Sequence, residues 1–458
     1  MAPMPITDAM FLLAERREQP MHVGGLQLFK LPAGADQEWV QSLYHQMLTH
    51  PDVSPMFRQR PHRQLSSLGA WSWQVDPEVD IEHHVRHSAL PKPGRVRELL
   101  ALTSRLHGTL LDRHRPLWEA HLIEGLQGRR FAVYTKIHHA LVDGVSALKL
   151  LEASLTTDPG KEDVPAPWSY QPPLREAPAS SGVPNLVEIT RSAWRTTSEV
   201  ASLGPMAARA AVKALLDQSS YLPSMAPKTM LNQPITGARR YAAQSWPLAR
   251  IKGVAKASGA TVNDVVLAMC AAALRTYLDS MGALPEAPLI AMTPVSLRRQ
   301  DDQIGGNAVG AILANLATDV TDPGKRLAAI HDSMEQGKQS LRQMTPVQVM
   351  LASAVTLMPM ALSTIAGVRR IAAPAYNLVI SNVPGPTEAL YWNRAKLEGV
   401  YPLSIPMDGQ ALNMTVTSYH GNMDFGLIGC RRTIPHLQRM LEYLESGLAE
   451  LESAAGSS

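Results

Sequence analysis

The residues with the clearest chemical potential lie in one stretch, Phe131-Ala-Val-Tyr-Thr-Lys-Ile-His138-His139-Ala-Leu-Val-Asp143-Gly144-Val-Ser-Ala-Leu. Two adjacent histidines follow a β-rich run and precede an Asp-Gly pair. Histidine is the side chain best suited to take a proton near neutral pH, and a positioned base contributes roughly 10²–10⁴-fold to a rate. Only one of two neighbouring histidines can face a given cleft, so one would be the base and the other its structural partner. Asp143 is placed to cap a helix whose apolar face is Val145, Leu148 and Leu151, or to orient the imidazole as a triad acid does. Gly144 lets backbone or substrate come close. A second pair, His83-His84, has neither a preceding strand nor an Asp-Gly four residues on, and reads as a solvated loop.

The elements that must position these histidines read as a mixture of strands and helices. Strand-like runs occur at Val23–Phe29, Phe131–Ile137, Leu289–Pro294, Tyr376–Ser381, Leu412–Tyr419 and Met423–Ile428, the last two joined by a turn at His420-Gly421-Asn422. Helical periodicity runs from Val262 to Tyr277 and from Leu437 to Leu451, the second with Thr433 as its expected cap and Pro435 in its first turn. Strands and helices without strict alternation predict an α/β fold of mixed α+β layers. Pro, Ser and Gly crowd residues 156–184, which read as a surface linker between a first domain, 1–155, and a second, 185–458.

Composition narrows the classes. A chain of 458 residues is long enough for two domains of roughly 200 residues each, and 45% apolar against 18% charged residues is a globular balance. Two cysteines, Cys270 and Cys430, exclude a disulfide scaffold and a four-cysteine zinc module. A formal charge of +3 is too mild to indicate nucleic acid and suits an anionic ligand or membrane surface. The apolar patch at Ala9–Ala14 is too short and closely flanked by charge for a secretory signal. The long uncharged stretch Met344–Val368 is broken by Pro346 and Pro359, which disfavours a spanning helix and leaves a soluble or peripheral protein.

His138-His139-x-x-x-Asp143-Gly144 is similar to the HHxxxDG signature of the CoA-dependent acyltransferase superfamily, which includes chloramphenicol acetyltransferase and peptide-synthetase condensation domains. Further stretches narrow the resemblance: Pro116-Leu117-Trp118-Glu119, Asn263-Asp264, Pro294-Val295-Ser296-Leu297-Arg298, Ser381-Asn382-Val383-Pro384-Gly385-Pro386, Thr7-Asp8…Glu15, and Pro20-Met21-His22-Val23-Gly24. Together they resemble the bacterial wax ester synthase/diacylglycerol acyltransferase family over essentially the whole chain. The resemblance implies two chloramphenicol-acetyltransferase-like domains with the active site at their interface. It implies transfer of a long-chain acyl group from acyl-CoA to a fatty alcohol or diacylglycerol, without an acyl-enzyme. His139 would be the general base and His138 its support, and Asp143 would more often hold the loop than orient the ring. The absence of a G-x-S-x-G elbow agrees with a mechanism lacking an activated serine.

Other residues carry weaker arguments. Thr261-x-x-Asp264 resembles a capping box, so Asp264 is expected to cap, while Asn263 is a candidate oxyanion donor. Trp118 is expected to shape the core more than touch substrate, although it and Glu15 are substrate-side candidates; Glu15 and His22 match the family opening without a chemical argument of their own. Arg298 and Arg299, with Arg369 and Arg370, are candidates for the CoA phosphates. Met350, Met358 and Met360 could line an acyl channel, and Arg58, Arg60, His62 and Arg63 with Phe57 and Trp71 could rest on an anionic bilayer. His83, His84, His87, His107 and His114 lack a metal-ligand spacing. The expectation is no metal and no cofactor beyond acyl-CoA as substrate, a monomer or homodimer, and a cytoplasmic protein peripheral to the inner membrane or lipid droplets. The alternatives are a condensation-type transferase using a carrier protein and a non-catalytic lipid-droplet protein.

Overall fold

The computed structural model describes residues 2–49, 52–63, 71–142, 144–169, 226–296, 309–343 and 374–456. Asp143, Arg298, Arg299, Arg369, Arg370 and the three channel methionines lie outside the described residues, as do residues 170–184 of the Pro-rich segment. Among the described residues the architecture is mixed α/β, built on two six-stranded sheets and one small three-stranded sheet.

The first half opens with β1 (Ala2–Pro3) and helix α1 (Ile6–Ala14), followed by β2 (His22–Lys30), α2 (Gln37–Thr49), β3 (Gln59–Arg63) and β4 (Trp71–Val75). After these come α3 (Ile81–His84), β5 (Val85–Ala89), α4 (Val96–His107), β6 (Trp118–Leu126), β7 (Arg130–His138) and α5 (Gly144–Ala153). The second half contributes β8 (Arg239–Pro247), α6 (Leu248–Ser258), α7 (Val262–Ser280), β9 (Ile290–Ser296), β10 (Val309–Asn315) and α8 (Pro323–Gln343). It ends with β11 (Leu378–Val383), β12 (Tyr391–Trp392), β13 (Ala395–Leu403), β14 (Leu412–Tyr419), β15 (Asn422–Cys430) and α9 (Arg439–Ala454).

One sheet has the order β12-β13-β2-β7-β6-β5 and the other β10-β9-β11-β14-β15-β8. The first therefore takes two strands from late in the chain, with β13 antiparallel to β2 and Leu403 opposite Gly24. Strand β13 also lies on the second sheet: Asp424 on β15 accepts the Val400 N–H at 2.8 Å, and Ser245 meets the Tyr401 hydroxyl at 3.0 Å. The start of the Pro-rich segment is packed rather than free. Thr156 bridges Tyr391 through paired backbone bonds, and Val164, Ala166 and Trp168 are buried in the first-sheet core.

Strand β7 is buried on both faces, as a central strand requires. Phe131, Val133 and Ile137 join one apolar cluster, and Ala132 and Tyr134 join another that includes Tyr241 of β8. In the second half α7 is apolar nearly all round and sits in the centre of the core. Among the described residues no single helix is long and apolar enough to cross a membrane.

Three expectations change. The last helix begins at Arg439, and Thr433 and Pro435 belong to a turn in which His436 takes φ 56° and Tyr277 donates to the Pro435 carbonyl. His84 is no loop residue: it is buried in α3, stacked 4.5 Å from Trp118. Phe57 is buried against the same tryptophan, which removes it from any bilayer-facing patch. The expected turn does form, with His420 and Gly421 both at positive φ.

The contact between β13 and the second sheet is close enough to test. A Cβ on Gly426 would stand 1.9 Å from the Pro402 carbonyl oxygen, backbone against backbone. Gly426→Ala is expected to cost about 3 kcal/mol in urea unfolding, whereas Ser245→Ala, which removes the hydroxyl shared with Tyr401 and Asp424, costs about 1 kcal/mol.

Candidate active site

The histidine turn is fixed by backbone bonds from two motifs. Strand β7 pairs with β2 so that His138 faces His22. The chain then turns: His138 N–H donates to the Leu117 carbonyl at 2.9 Å, and His139 N–H to the Met21 carbonyl at 2.8 Å. The Pro-Leu-Trp stretch and the opening Pro-Met-His stretch thus grip successive residues of the pair.

The two imidazoles have different surroundings. His138 is fully buried, and its Nδ1 accepts the Ala140 N–H at 3.1 Å. A neutral ring used in that way carries its proton on Nε2, which faces Glu15 Oε1 at 3.4 Å. Glu15 is itself buried; it also accepts the Met21 N–H at 3.2 Å and the Arg113 guanidinium at 3.0 Å. Burial alone would raise the Glu15 carboxyl, but the approach of His138, the Met21 N–H and Arg113 outweigh it and hold the group below its usual value. Arg113 also donates to the Leu12 carbonyl at 2.7 Å, tying down the end of α1. That helix carries Phe11, whose ring stacks on His139 at 4.1 Å and 17°. His139 is half-buried, so its ring has access that His138 lacks.

A second buried network supports the same strand. Lys136 on β7 reaches the Leu106 and Thr109 carbonyls at 3.2 and 3.0 Å and Glu119 at 3.2 Å, three acceptors for the three donors of an ammonium. Burial pushes Glu119 upward, but the His121 hydrogen bond and the charges of Lys136 and Arg86 outweigh it and bring the carboxyl down to about 2. His22 reaches the His107 carbonyl at 2.8 Å, and His107 reaches the Tyr134 hydroxyl and the Ser404 carbonyl. Burial drives His107 down to about 3 and His22 well below its usual value, so both stay neutral and serve as braces.

Trp118 stacks between His84 and Trp168 and donates to the Phe57 carbonyl at 2.9 Å, with 2% of its surface exposed. It braces the turn from within the core. Asp264 is fully buried; its Oδ2 accepts the Thr261 N–H at 2.9 Å and meets His331 Nδ1 at 2.8 Å, a capping geometry. Asn263 is paired instead with Asn382, the Oδ1 accepting at 3.3 Å, which joins the Asn-Asp motif to the Asn-Val-Pro-Gly-Pro motif. Gly144 opens α5. Near the far end of that helix Glu152 lies under Gly385, where an added Cβ would stand 3.0 Å from its Oε1 and 2.2 Å from the Ser418 carbonyl oxygen. The helix after the histidines therefore touches the Pro-Gly-Pro loop of the second half. No group of three His, Cys, Asp or Glu residues that could hold a metal occurs among the described residues.

Sequence reading missed Arg113, Phe11 and the Lys136–Glu119 pair. Only Glu119 carried a signal, as the residue after the Pro-Leu-Trp stretch.

The Glu119–Lys136 pair has a testable pH signature. The folded carboxyl titrates near 2 and an unfolded one near about 4.3. Its contribution is therefore present above about pH 4.3 and lost as the pH falls toward 2. Glu119→Gln, which strands the Lys136 ammonium, is expected to cost about 3 kcal/mol in urea unfolding at pH 7. The gap to the unaltered protein should close between about pH 4 and pH 2.

Residues 4–266 match the wax ester synthase/diacylglycerol acyltransferase catalytic domain, and residues 305–452 match the C-terminal domain of the same family. The chain is 51% identical over 450 residues to a probable diacylglycerol O-acyltransferase of Mycobacterium tuberculosis, covering 98% of each. It is 43% identical to an O-acyltransferase of Acinetobacter baylyi, covering 99% of this chain and 97% of that one. The solved wax ester synthase/diacylglycerol acyltransferase of Marinobacter aquaeolei superposes over 100% of both chains, with a TM-score of 0.80 at 47% identity. A starter condensation domain of rhizomide synthetase shares the fold at 10% identity and a TM-score of 0.57, covering 99% of this chain and 94% of that one. The chain belongs to the wax ester synthase/diacylglycerol acyltransferase family.

Proposed function

We propose that the protein is an O-acyltransferase that moves a long-chain acyl group from acyl-CoA to a fatty alcohol or diacylglycerol, with His139 as general base. The observation that carries the assignment of roles is the contrast between the two rings: His138 is sealed against Glu15, while His139 is half-buried. The related proteins, named as O-acyltransferases along their full lengths, support the reaction class.

In this reading an imidazole nitrogen of His139 takes the proton of the acceptor hydroxyl as its oxygen bonds to the thioester carbonyl carbon. The tetrahedral oxyanion then collapses, the carbon–sulfur bond breaks, and the CoA thiolate receives the proton from the imidazolium. The Met21 carbonyl, the Leu117 carbonyl and Glu15 hold the turn in place through both steps. Phe11 covers one face of the ring, and an aromatic face favours the cation that forms during transfer. Asn263, already presenting its amide beside Asn382, is the candidate donor to the oxyanion, and Asp143 a loop-holding residue. The reading divides the chain into domains at 1–155 and 185–458 with a linker at 156–184 and sets the site where they meet. The contact of α5 with the Pro-Gly-Pro loop supports this. The insolubility of both acceptors, fatty alcohol and diacylglycerol, argues for work at an inner-membrane or lipid-droplet surface, as a monomer or homodimer.

Thiol release from palmitoyl-CoA with hexadecanol tests the reaction. His139→Ala should lower ester formation by about 10²–10⁴-fold with an unchanged melting temperature. Turnover with acyl carrier protein but not with CoA donors would favour a condensation-type transferase. Undiminished ester synthesis by the variant would remove the catalytic reading.

A further inference from the structure

Five arginines converge on one groove where the two halves meet. Two open depressions of about 600 and 490 Å³ share Ser104, Arg105, Arg239 and Arg431, and run together between the end of α4 and the start of β8. Arg240 lines one and Arg17 the other. Among the described residues, none of these guanidinium groups has a carboxylate within ion-pair distance. Two acids line the groove with them: Glu98, occupied by Arg95 at 2.8 Å, and Glu18, next to Arg17 in the chain. Arg239 is 5% exposed, and its guanidinium is satisfied by the Thr236 and Glu18 carbonyls. Burial lowers it to about 10 against the opposing influence of Cys430 and Asp408, so it stays charged at neutral pH. Four further guanidinium groups line the same groove, a set that matches the several negative charges of a polyanion.

The groove is close to the histidine turn along the chain. Arg17 and Glu18 sit in the turn closed by Arg16 and Gln19, and four residues from Arg17 is Met21, whose carbonyl accepts the His139 N–H. Four residues span at most roughly 14 Å. A phosphate held at the groove is thus within reach of the site through an extended arm such as pantetheine. From the other wall, His107 follows Arg105 by two residues and contacts the Ser404 carbonyl, so both walls are anchored to the strands that carry the site.

We propose that this arginine groove binds the phosphorylated adenosine end of the acyl-CoA donor. The assignment rests on the acyl-CoA reading above, and it takes the phosphates to Arg17, Arg105, Arg239, Arg240 and Arg431. Arginine's planar fork matches phosphate oxygens bidentately, and a concave groove encloses a single soluble polyanion where a lipid surface would meet a convex patch.

The test is calorimetric binding of adenosine 3′,5′-bisphosphate to the full chain, alongside steady-state kinetics with palmitoyl-CoA and saturating hexadecanol. Arg105→Ala/Arg431→Ala removes two exposed side chains. It should raise the bisphosphate Kd and the KM for palmitoyl-CoA by about tenfold or more, since charge-assisted bonds of this kind carry that much each. Lys256→Ala, on the exposed face of α6, should leave both within twofold. Arg240→Ala gives the same reading should the double variant fail to fold. No bisphosphate binding by the unaltered protein, or equal binding by the variants, overturns the inference. So does loss of binding to phosphatidylglycerol vesicles with bisphosphate affinity retained, which would make the groove a lipid contact. Bisphosphate binding that the arginine variants abolish, in a protein that does not turn over palmitoyl-CoA, would leave the groove standing and sink the acyl-transfer reading instead.

Discussion

The approach of His138 to Glu15 is the contact on which the site depends. A carboxylate with 8% of its surface exposed needs compensation, and it receives it from one imidazole, one backbone N–H and one guanidinium. Each of those partners belongs to a different piece of chain: the end of β7, the residue that leads into β2 and the loop after α4. The carboxylate therefore fixes three pieces of chain relative to one another. With His138 Nε2 facing Glu15 and Nδ1 accepting the Ala140 N–H, the turn that presents His139 has little freedom left.

Successive layers build outward from that contact. The Leu117 and Met21 carbonyls take the two histidine N–H groups, and Trp118, stacked between His84 and Trp168, keeps Leu117 in register. Lys136 and Glu119 lock β7 to β6 beneath the turn, and Arg113 ties the end of α1, so that Phe11 rests on the His139 ring. Strand β13, hydrogen-bonded to β2 and packed on β15, couples this half to the other. The result is one half-buried imidazole on a rigid support, the arrangement a general base requires.

Much of this was legible in residue types. The HHxxxDG stretch on a strand end, the capping role of Asp264 and the turn at His420-Gly421 follow from local chemistry, and local chemistry is what a sequence displays. The role of Glu15 was not legible, because its partners lie 98 and 123 residues away and nothing local marks an acid as buried. The pairing of β13 with β2 is equally non-local. A strand reads as a strand, but its neighbour is chosen by the fold. His84 and Phe57 misled for a related reason: a histidine or phenylalanine among polar residues looks exposed until a distant tryptophan is found to cover it.

The most direct measurement is a crystal structure of the protein with CoA and hexadecanol bound. The account predicts the alcohol oxygen within about 3 Å of an imidazole nitrogen of His139, with Glu15 still facing His138. An alcohol oxygen seated against another side chain, or a Glu15 carboxylate turned away from His138 to meet the substrate, would contradict it.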